Sequence, residues 1–164
     1  MQRDIVITKK SAFIKQIAFY LNSSDYQQAY SLSKEFVSLF PSEMISHYFL
    51  AKSAYWADQL EEARLESRKA FNMTTAPDDI AACAVLSSTI YYRLGEYSKG
   101  YEILKTASKA KCTEEMEQLM FLFSLALQDA NQAMAHIAEL HRMNKGVAED
   151  FMARFLKSRS RGAR

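Results

Sequence analysis

Apolar side chains recur along this chain at steps of three and four, and no long stretch alternates at period two. The pattern predicts helices, interrupted by short polar turns. "SSDYQQAYSLSKEFVSLFP" (23–41) ends one apolar helical segment in a proline, and another starts directly after it. The same arrangement returns at "DQLEEA" (58–63), "GEYSKG" (95–100) and "DANQA" (129–133), each matching "SDYQQA" (24–29). A small residue closes each of these turns, at Ala29, Ala63, Gly100 and Ala133, with spacings of 34, 37 and 33. Seven positions later stand Phe36, Ala70, Ala107 and Leu140, all apolar, and Tyr26, Leu60, Tyr97 and Ala130 stand about one turn before the small residue. The longer spacing is assigned to a turn-rich insertion, "TTAPDD" (74–79).

The implied unit is a hairpin of two helices used four times, over about residues 10–41, 42–76, 77–111 and 112–143. Small residues at each crossing let the helices approach closely. A single hairpin cannot bury its apolar stripe alone, so neighbouring units must stack. Local signals mark the helix ends: Ser24 with Gln27 reads as a capping box, Ser42 and Thr113 as N-caps, and Asn72 and Gly146 as stops. After the fourth unit, "VAEDFMARFLKSR" (147–159) puts Val147, Phe151, Met152, Phe155 and Leu156 on one face, as expected of a capping helix. Residues 160–164 follow as a short basic tail, and residues 1–146 form the repeat domain.

Composition agrees with an all-helical chain. Among 164 residues, 49% are hydrophobic, with only four glycines and two prolines, so one continuous core is within reach. Cys83 and Cys112 are 29 residues apart and have neither disulfide-framework nor zinc spacing, which points to a reducing compartment and a cytoplasmic location. No signal peptide is expected from "MQRDIVITKK", and no apolar run is long enough to span a membrane. The net charge of +2 is uneven, because "RFLKSRSRGAR" (154–164) holds five basic groups and no acid. Arg154, Lys157, Arg159, Arg161 and Arg164 could contact phosphates, but no aromatic follows Phe155 to stack on bases.

No catalytic signature is present, and an enzyme is not expected. His136 and His141 are five apart, which places them on different sides of a helix, and His47 has no ligand-spaced companion. All three are read as surface or satisfied core histidines. There is no phosphate loop and no GxSxG, and Glu61, Glu62 and Glu66 beside Arg64, Arg68 and Lys69 read as a solvated, ion-paired helix face. No metal and no cofactor is expected.

A two-helix unit with a period near 34 resembles the tetratricopeptide repeat. Leu50 and Ala51 match the family's Leu-Gly pair, Ala63 and Ala70 its two alanines, Pro41 its terminal proline and Gly95 its turn glycine. His47 and Ala84 stand where the family favours tryptophan, and Gly100 replaces an alanine. The resemblance covers roughly residues 11–142 and implies a right-handed superhelical solenoid whose first helices line a concave groove. The groove positions it implies are Tyr48, Lys52, Tyr55 and Trp56 in unit two, and Val85, Thr89, Tyr92 and Arg93 in unit three. In unit one they are Ile14, Ala18, Leu21 and Asn22, and in unit four Gln118, Leu122 and Leu125. Some family members clamp a terminal carboxylate with Lys, Asn and Arg, but those positions here hold Ile14, Ala18, Phe49, Ala82 and Leu86. The expected function is therefore a scaffold or adaptor for a peptide or amphipathic helix of another protein. A secretion-type chaperone is a narrower form of that reading, and a nucleic-acid-associated protein using the basic tail is the alternative.

Overall fold

The computed structural model describes the backbone of residues 2–162 and the side chains of residues 8–160. Among the described residues there are nine helices and no strand: α1 (Gln2–Asn22), α2 (Tyr26–Leu39), α3 (Met44–Trp56), α4 (Leu60–Asn72), α5 (Pro77–Arg93), α6 (Tyr97–Ser108), α7 (Glu114–Ala126), α8 (Ala130–Met143) and α9 (Lys145–Gly162). Consecutive helices pack as antiparallel pairs, and each pair packs on the next, with α1 against α3, α3 against α5 and α5 against α7.

Four hairpins turn on one backbone device. Ser24, Asp58, Gly95 and Gln128 each adopt positive φ, between 61° and 74°. The next N–H reaches back five residues: Asp25 to the Tyr20 carbonyl at 2.9 Å, Gln59 to Ala54 at 2.8 Å, Glu96 to Tyr91 at 2.9 Å and Asp129 to Ser124 at 2.8 Å. The positive-φ residue itself donates to Leu21, Tyr55, Tyr92 or Leu125 at 3.1–3.4 Å. This pair of bonds is a Schellman motif, which satisfies the last carbonyls of the first helix while reversing the chain. Only one of the four uses glycine.

That turn displaces the expected caps. Ser24 is in the left-handed region and does not cap α2; Asp25 does, accepting from the Gln28 N–H at 3.3 Å. Asp129 does the same for α8, accepting from the Gln132 N–H at 2.9 Å. Ser42 does not cap α3 either: Glu43 is the N-cap without a side-chain bond, and Ser46 Oγ instead donates to the Phe40 and Glu43 carbonyls. Thr113 caps α7 through the Met116 N–H at 3.2 Å, and Asn72 is the last residue of α4, as expected. Gly146 is not a stop. It lies in the first turn of α9, and Asn144 both ends α8 and accepts from the Val147 N–H at 3.2 Å.

The 37-residue spacing is not a loop insertion. Residues 78 and 79 of "TTAPDD" are helical, and α5 has 17 residues where α3 and α7 have 13. Pro77 opens its first turn, where a missing N–H costs nothing, and Asp78 and Asp79 favour the positive end of the helix dipole. The extra residues therefore add a helical turn.

Packing follows the small residues. Ala29, Ala63, Gly100 and Ala133 are buried at the hairpin crossings, and Phe36, Ala70, Ala107 and Leu140 are buried one face further along. The cores run in series: Ile17, Ala29, Phe36 and Phe49; then Ala51, Ala54, Ala63, Leu86 and Ile90; then a cluster around Ala84, Leu104, Met116 and Phe123. Each borrows side chains from the first helix of the following hairpin. Gly100 has a local cause: a Cβ there would lie 2.6 Å from Phe123 Cε1, so the ring of α7 occupies the methyl's place.

Two hairpins carry a histidine–glutamate pair, buried on both sides in the second and half-buried at the imidazole in the fourth. His47 Nδ1 meets Glu66 Oε2 at 2.5 Å while its Nε2 meets the Pro41 carbonyl at 2.8 Å. Seventy residues on, Glu117 Oε2 meets His136 Nδ1 at 2.8 Å, with the two residue types exchanged between helices, and His136 Nε2 meets the Tyr101 hydroxyl at 2.9 Å. The other hairpins fill the same positions with Phe13 and Leu32, and with Ala84 and Ile103. Glu66 therefore departs from the expected solvated face: it is only 7% exposed. Burial pushes its carboxyl up, but hydrogen bonds from Lys69 and His47 outweigh this and hold its pKa below the usual carboxylate value.

Three measurements on purified protein check this account. Gly95→Ala should cost about 1 kcal/mol through backbone strain alone, because no atom other than those of Gly95 and its two chain neighbours lies within 4 Å of the added methyl. Gly100→Ala should cost about 1–3 kcal/mol by overpacking, and Phe123→Leu should recover part of that loss. Since Glu66 has a lowered folded pKa, its contribution is complete above the unfolded value and is lost as pH falls through the folded one. The melting temperature should thus fall more steeply below about pH 4.5 in the native chain than in Glu66→Gln.

Candidate functional site

The first helices carry tyrosines at equivalent positions, Tyr55 near the end of α3 and Tyr92 near the end of α5. Because both precede the left-handed turn by three residues, their rings sit at the hairpin edge of the stack. Tyr55 is half-buried, and its ring meets Trp56 edge-on at 5.2 Å. Trp56 is 49% exposed and stacks on Tyr26, at the start of α2, with centroids 5.4 Å apart and planes 17° apart. This stack bridges two hairpins.

Arg93 joins the same cluster from the third hairpin. Its guanidinium lies 5.1 Å from the Tyr55 ring centroid, Nη1 donates to the Tyr55 carbonyl at 2.9 Å, and Nη2 donates to Asp58 Oδ1 at 2.7 Å. A cation at the C-terminus of α3 satisfies an end carbonyl and the helix dipole together. Arg93 thus fixes the rings of the preceding hairpin and is not a free groove cation. Tyr92, 40% exposed, belongs to a second cluster, meeting Tyr97 at 5.2 Å and Phe123 edge-on at 5.3 Å.

The remaining candidate positions divide. Tyr48 is half-buried, packs on two core clusters and meets Phe49 edge-on at 5.7 Å; burial pushes its phenol pKa up. Thr89 Oγ1 donates to the Val85 carbonyl at 2.8 Å. Lys52 is half-buried and has no hydrogen bond or ion pair among the described residues, so its ammonium is uncommitted. Tyr26, Tyr97 and Asp58 complete the two clusters and were not among the expected groove positions. The signal for the two tyrosines was their shared place, two residues after the left-handed turn residue.

No group of three His, Cys, Asp or Glu that could hold a metal occurs among the described residues. Burial raises the Cys83 thiol to about 12, and burial together with Glu117 raises Cys112 to about 12, so both stay protonated at neutral pH. At the C-terminal end, Phe151 and Phe155 of α9 meet Phe121 edge-on at 5.5 and 5.2 Å. Leu156 does not join that face and is 60% exposed. Arg154 pairs with Asp150 at 3.0 Å and Arg159 lies 5.5 Å over the Phe155 ring. The side chains of Arg161 and Arg164 lie outside the described residues.

No family model matches the chain, and no curated protein matches it. Solved structures do. A tetratricopeptide-repeat (TPR) protein of Thermus thermophilus, TTC0263, superposes with a TM-score of 0.76 at 17% identity, over 90% of this chain and 81% of that one. PilF of Pseudomonas aeruginosa gives 0.76 at 21% identity, over 98% and 72%. YrrB, described as a TPR protein with an unusual peptide-binding site, gives 0.65 at 14%, over 93% and 81%. The chain has the tetratricopeptide-repeat fold. Within it, α9 takes the place of a capping helix, and no helix among the described residues is long and apolar enough to cross a membrane.

The sole tryptophan makes this TPR edge measurable without labels. Acrylamide should quench Trp56 in the free protein, since about half of it is exposed. Tyr26→Ala removes the stacked ring and should raise the quenching constant while the helical circular dichroism stays unchanged. Identical quenching in both proteins would contradict the stack.

Proposed function

We propose that this TPR chain is a non-enzymatic scaffold that holds a peptide or an amphipathic helix of another protein along its first helices. The observation that carries this reading is the aromatic edge formed by Tyr55, Trp56 and Tyr92, two of which are markedly exposed. Large rings bring contact area at low entropy cost, and such residues dominate binding energies in protein interfaces. Arg93 holds Tyr55 in place before any partner arrives, which lowers the ordering cost of binding. Tyr48, Thr89 and the uncommitted Lys52 extend the surface along α3 and α5, so an apolar segment with an acidic residue opposite Lys52 is the expected occupant.

YrrB, similar in fold, is described as having a peptide-binding site, and this supports a peptide-holding role. A secretion-type chaperone is the narrower version of the proposal. Free thiols at Cys83 and Cys112 fit a reducing, cytoplasmic setting. The alternative, phosphate contact through the basic end, has less behind it, because Arg154 and Arg159 already have partners within α9.

Affinity capture with identification by mass, followed by titration of the captured partner, tests the proposal. Trp56→Ala and Tyr92→Ala should each weaken binding by about 1–3 kcal/mol without loss of helical signal. Shortening the chain after Phe155 should leave affinity nearly unchanged, and added salt should weaken binding only slightly. Loss of binding on shortening, with the groove substitutions silent and a steep salt dependence, would favour nucleic acid instead.

A further inference from the structure

A second cleft lies on the opposite, second-helix side of the stack, between α4 and α6, with α5 as its floor. It encloses about 330 Å³. Phe71 of α4 and Ile103 of α6 are its apolar walls, Ser87 and Tyr91 of α5 form the base, and Arg68 and Lys99 stand on opposite sides. The cause is one small residue. The position of Ser87 is filled by Leu50 in the second hairpin and by Met120 in the fourth, both buried. In the third hairpin a serine stands there, and the volume a large side chain would fill is open.

The Ser87 hydroxyl is also unusual in what it lacks. Ser87 is 2% exposed, and its Oγ is a buried side-chain polar atom with no hydrogen-bond partner among the described residues. Other buried serines bond back to their own helix, Ser33 to the Ala29 carbonyl at 2.7 Å and Ser124 to the Met120 carbonyl at 2.8 Å. A buried hydroxyl left unpaired is costly, and native structures rarely keep one without use. At the rim, Lys99 is bonded to Glu96, whereas Arg68 has no ion pair or hydrogen bond among the described residues.

We infer that this cleft binds a single phenol ring held between Phe71 and Ile103, with Ser87 turning its buried hydroxyl toward the cleft by a χ1 rotation to hydrogen-bond the phenol hydroxyl. The volume is at the small end for ligand sites, about 300–1,000 Å³, and is ample for one ring, since a cavity of about 150 Å³ already holds benzene. A ring without a hydroxyl would fill the walls but leave Ser87 unpaired, so discrimination between tyrosyl and phenylalanyl groups is built into the floor. The source is either a tyrosine side chain of a bound protein segment or a free phenol. The site is independent of the aromatic edge formed by Tyr55, Trp56 and Tyr92.

Titration of N-acetyl-tyrosinamide, N-acetyl-phenylalaninamide and p-cresol into the full chain, followed by amide NMR, tests it. The tyrosine probe should shift Phe71, Ser87, Tyr91 and Ile103 and bind at least about fivefold tighter than the phenylalanine probe. Ser87→Ala should keep the cleft and erase that preference. Ser87→Leu, which restores the side chain found in the second hairpin, should abolish binding of all three. Tighter binding of the amide than of p-cresol assigns the site to tyrosyl groups, and equal binding assigns it to free phenols. Absence of shifts at those residues, equal affinity for the two amides in the native chain, a preference that survives Ser87→Ala, or binding that survives Ser87→Leu would each overturn the inference.

Discussion

The close crossing of two helices within each hairpin is the constraint on which the rest of this solenoid depends. Two helices can approach to a short interaxial distance only where one presents almost no side chain, and Ala29, Ala63, Gly100 and Ala133 meet that demand. Once the pair is close, the larger groups around it have nowhere to go but outward to the next hairpin. Phe49 then completes the first core, Leu86 and Ile90 the second, and Met116 and Phe123 the third. The extreme case is Gly100, where the neighbouring ring of Phe123 has taken even the methyl's space. That ring also meets Tyr92 and Tyr97, so a packing requirement inside the stack positions an aromatic edge on its surface.

The left-handed turn completes this constraint. A Schellman motif sets both the end of the first helix and the start of the second, and so fixes which residues lie three before it and two after it. Those places hold Tyr55 and Tyr92 on one side, and Tyr26 and Tyr97 on the other. The aromatic edge is thus a by-product of turn geometry, with Trp56 and Arg93 at the adjacent, more exposed position. One of these two became the most exposed ring of the edge, and the other a brace that reaches back to the previous hairpin.

The helical hairpins and their crossing residues were legible in the sequence because spacing and side-chain size encode them directly. Helix ends were less legible. Ser24 looked like a cap because serine favours that role, but the residue that must take positive φ cannot also cap, and the duty passed to Asp25. Likewise residues 74–79 looked like a loop throughout from their composition, while a proline at a first helical position is compatible with a longer helix, and α5 begins at Pro77. Glu66 was misjudged for a different reason: its neighbours in sequence are charged and exposed, but its partner, His47, is 19 residues away on another helix. Long-range pairing of that kind leaves no local mark. The equivalent placement of Tyr55 and Tyr92 in successive units was legible from the repeat, whereas the occupation of Arg93 by Tyr55 and Asp58 depends on the distance between hairpins and could not be read from one unit alone.

The histidine–glutamate pairs show how a repeat scaffold tolerates polar chemistry inside it. At one position in each hairpin, the two helices meet with either two apolar side chains or one acid and one imidazole. A buried ion-type pair gives little net stability compared with apolar residues of similar volume, since desolvation offsets the attraction. It does impose a geometric demand that apolar contacts lack, because each member must face its partner across the crossing. The exchange of the two residue types between the second and fourth hairpins keeps the pairing while reversing which helix carries the acid. Each imidazole uses its second nitrogen on a group outside its own pair, the Pro41 carbonyl or the Tyr101 hydroxyl. In the second hairpin that bond ties α3 to the linker leaving α2, and in the fourth it ties α8 to α6. These pairs therefore fix how one hairpin sits on the hairpin before it, and through that the spacing of the aromatic edge that crosses the same junctions.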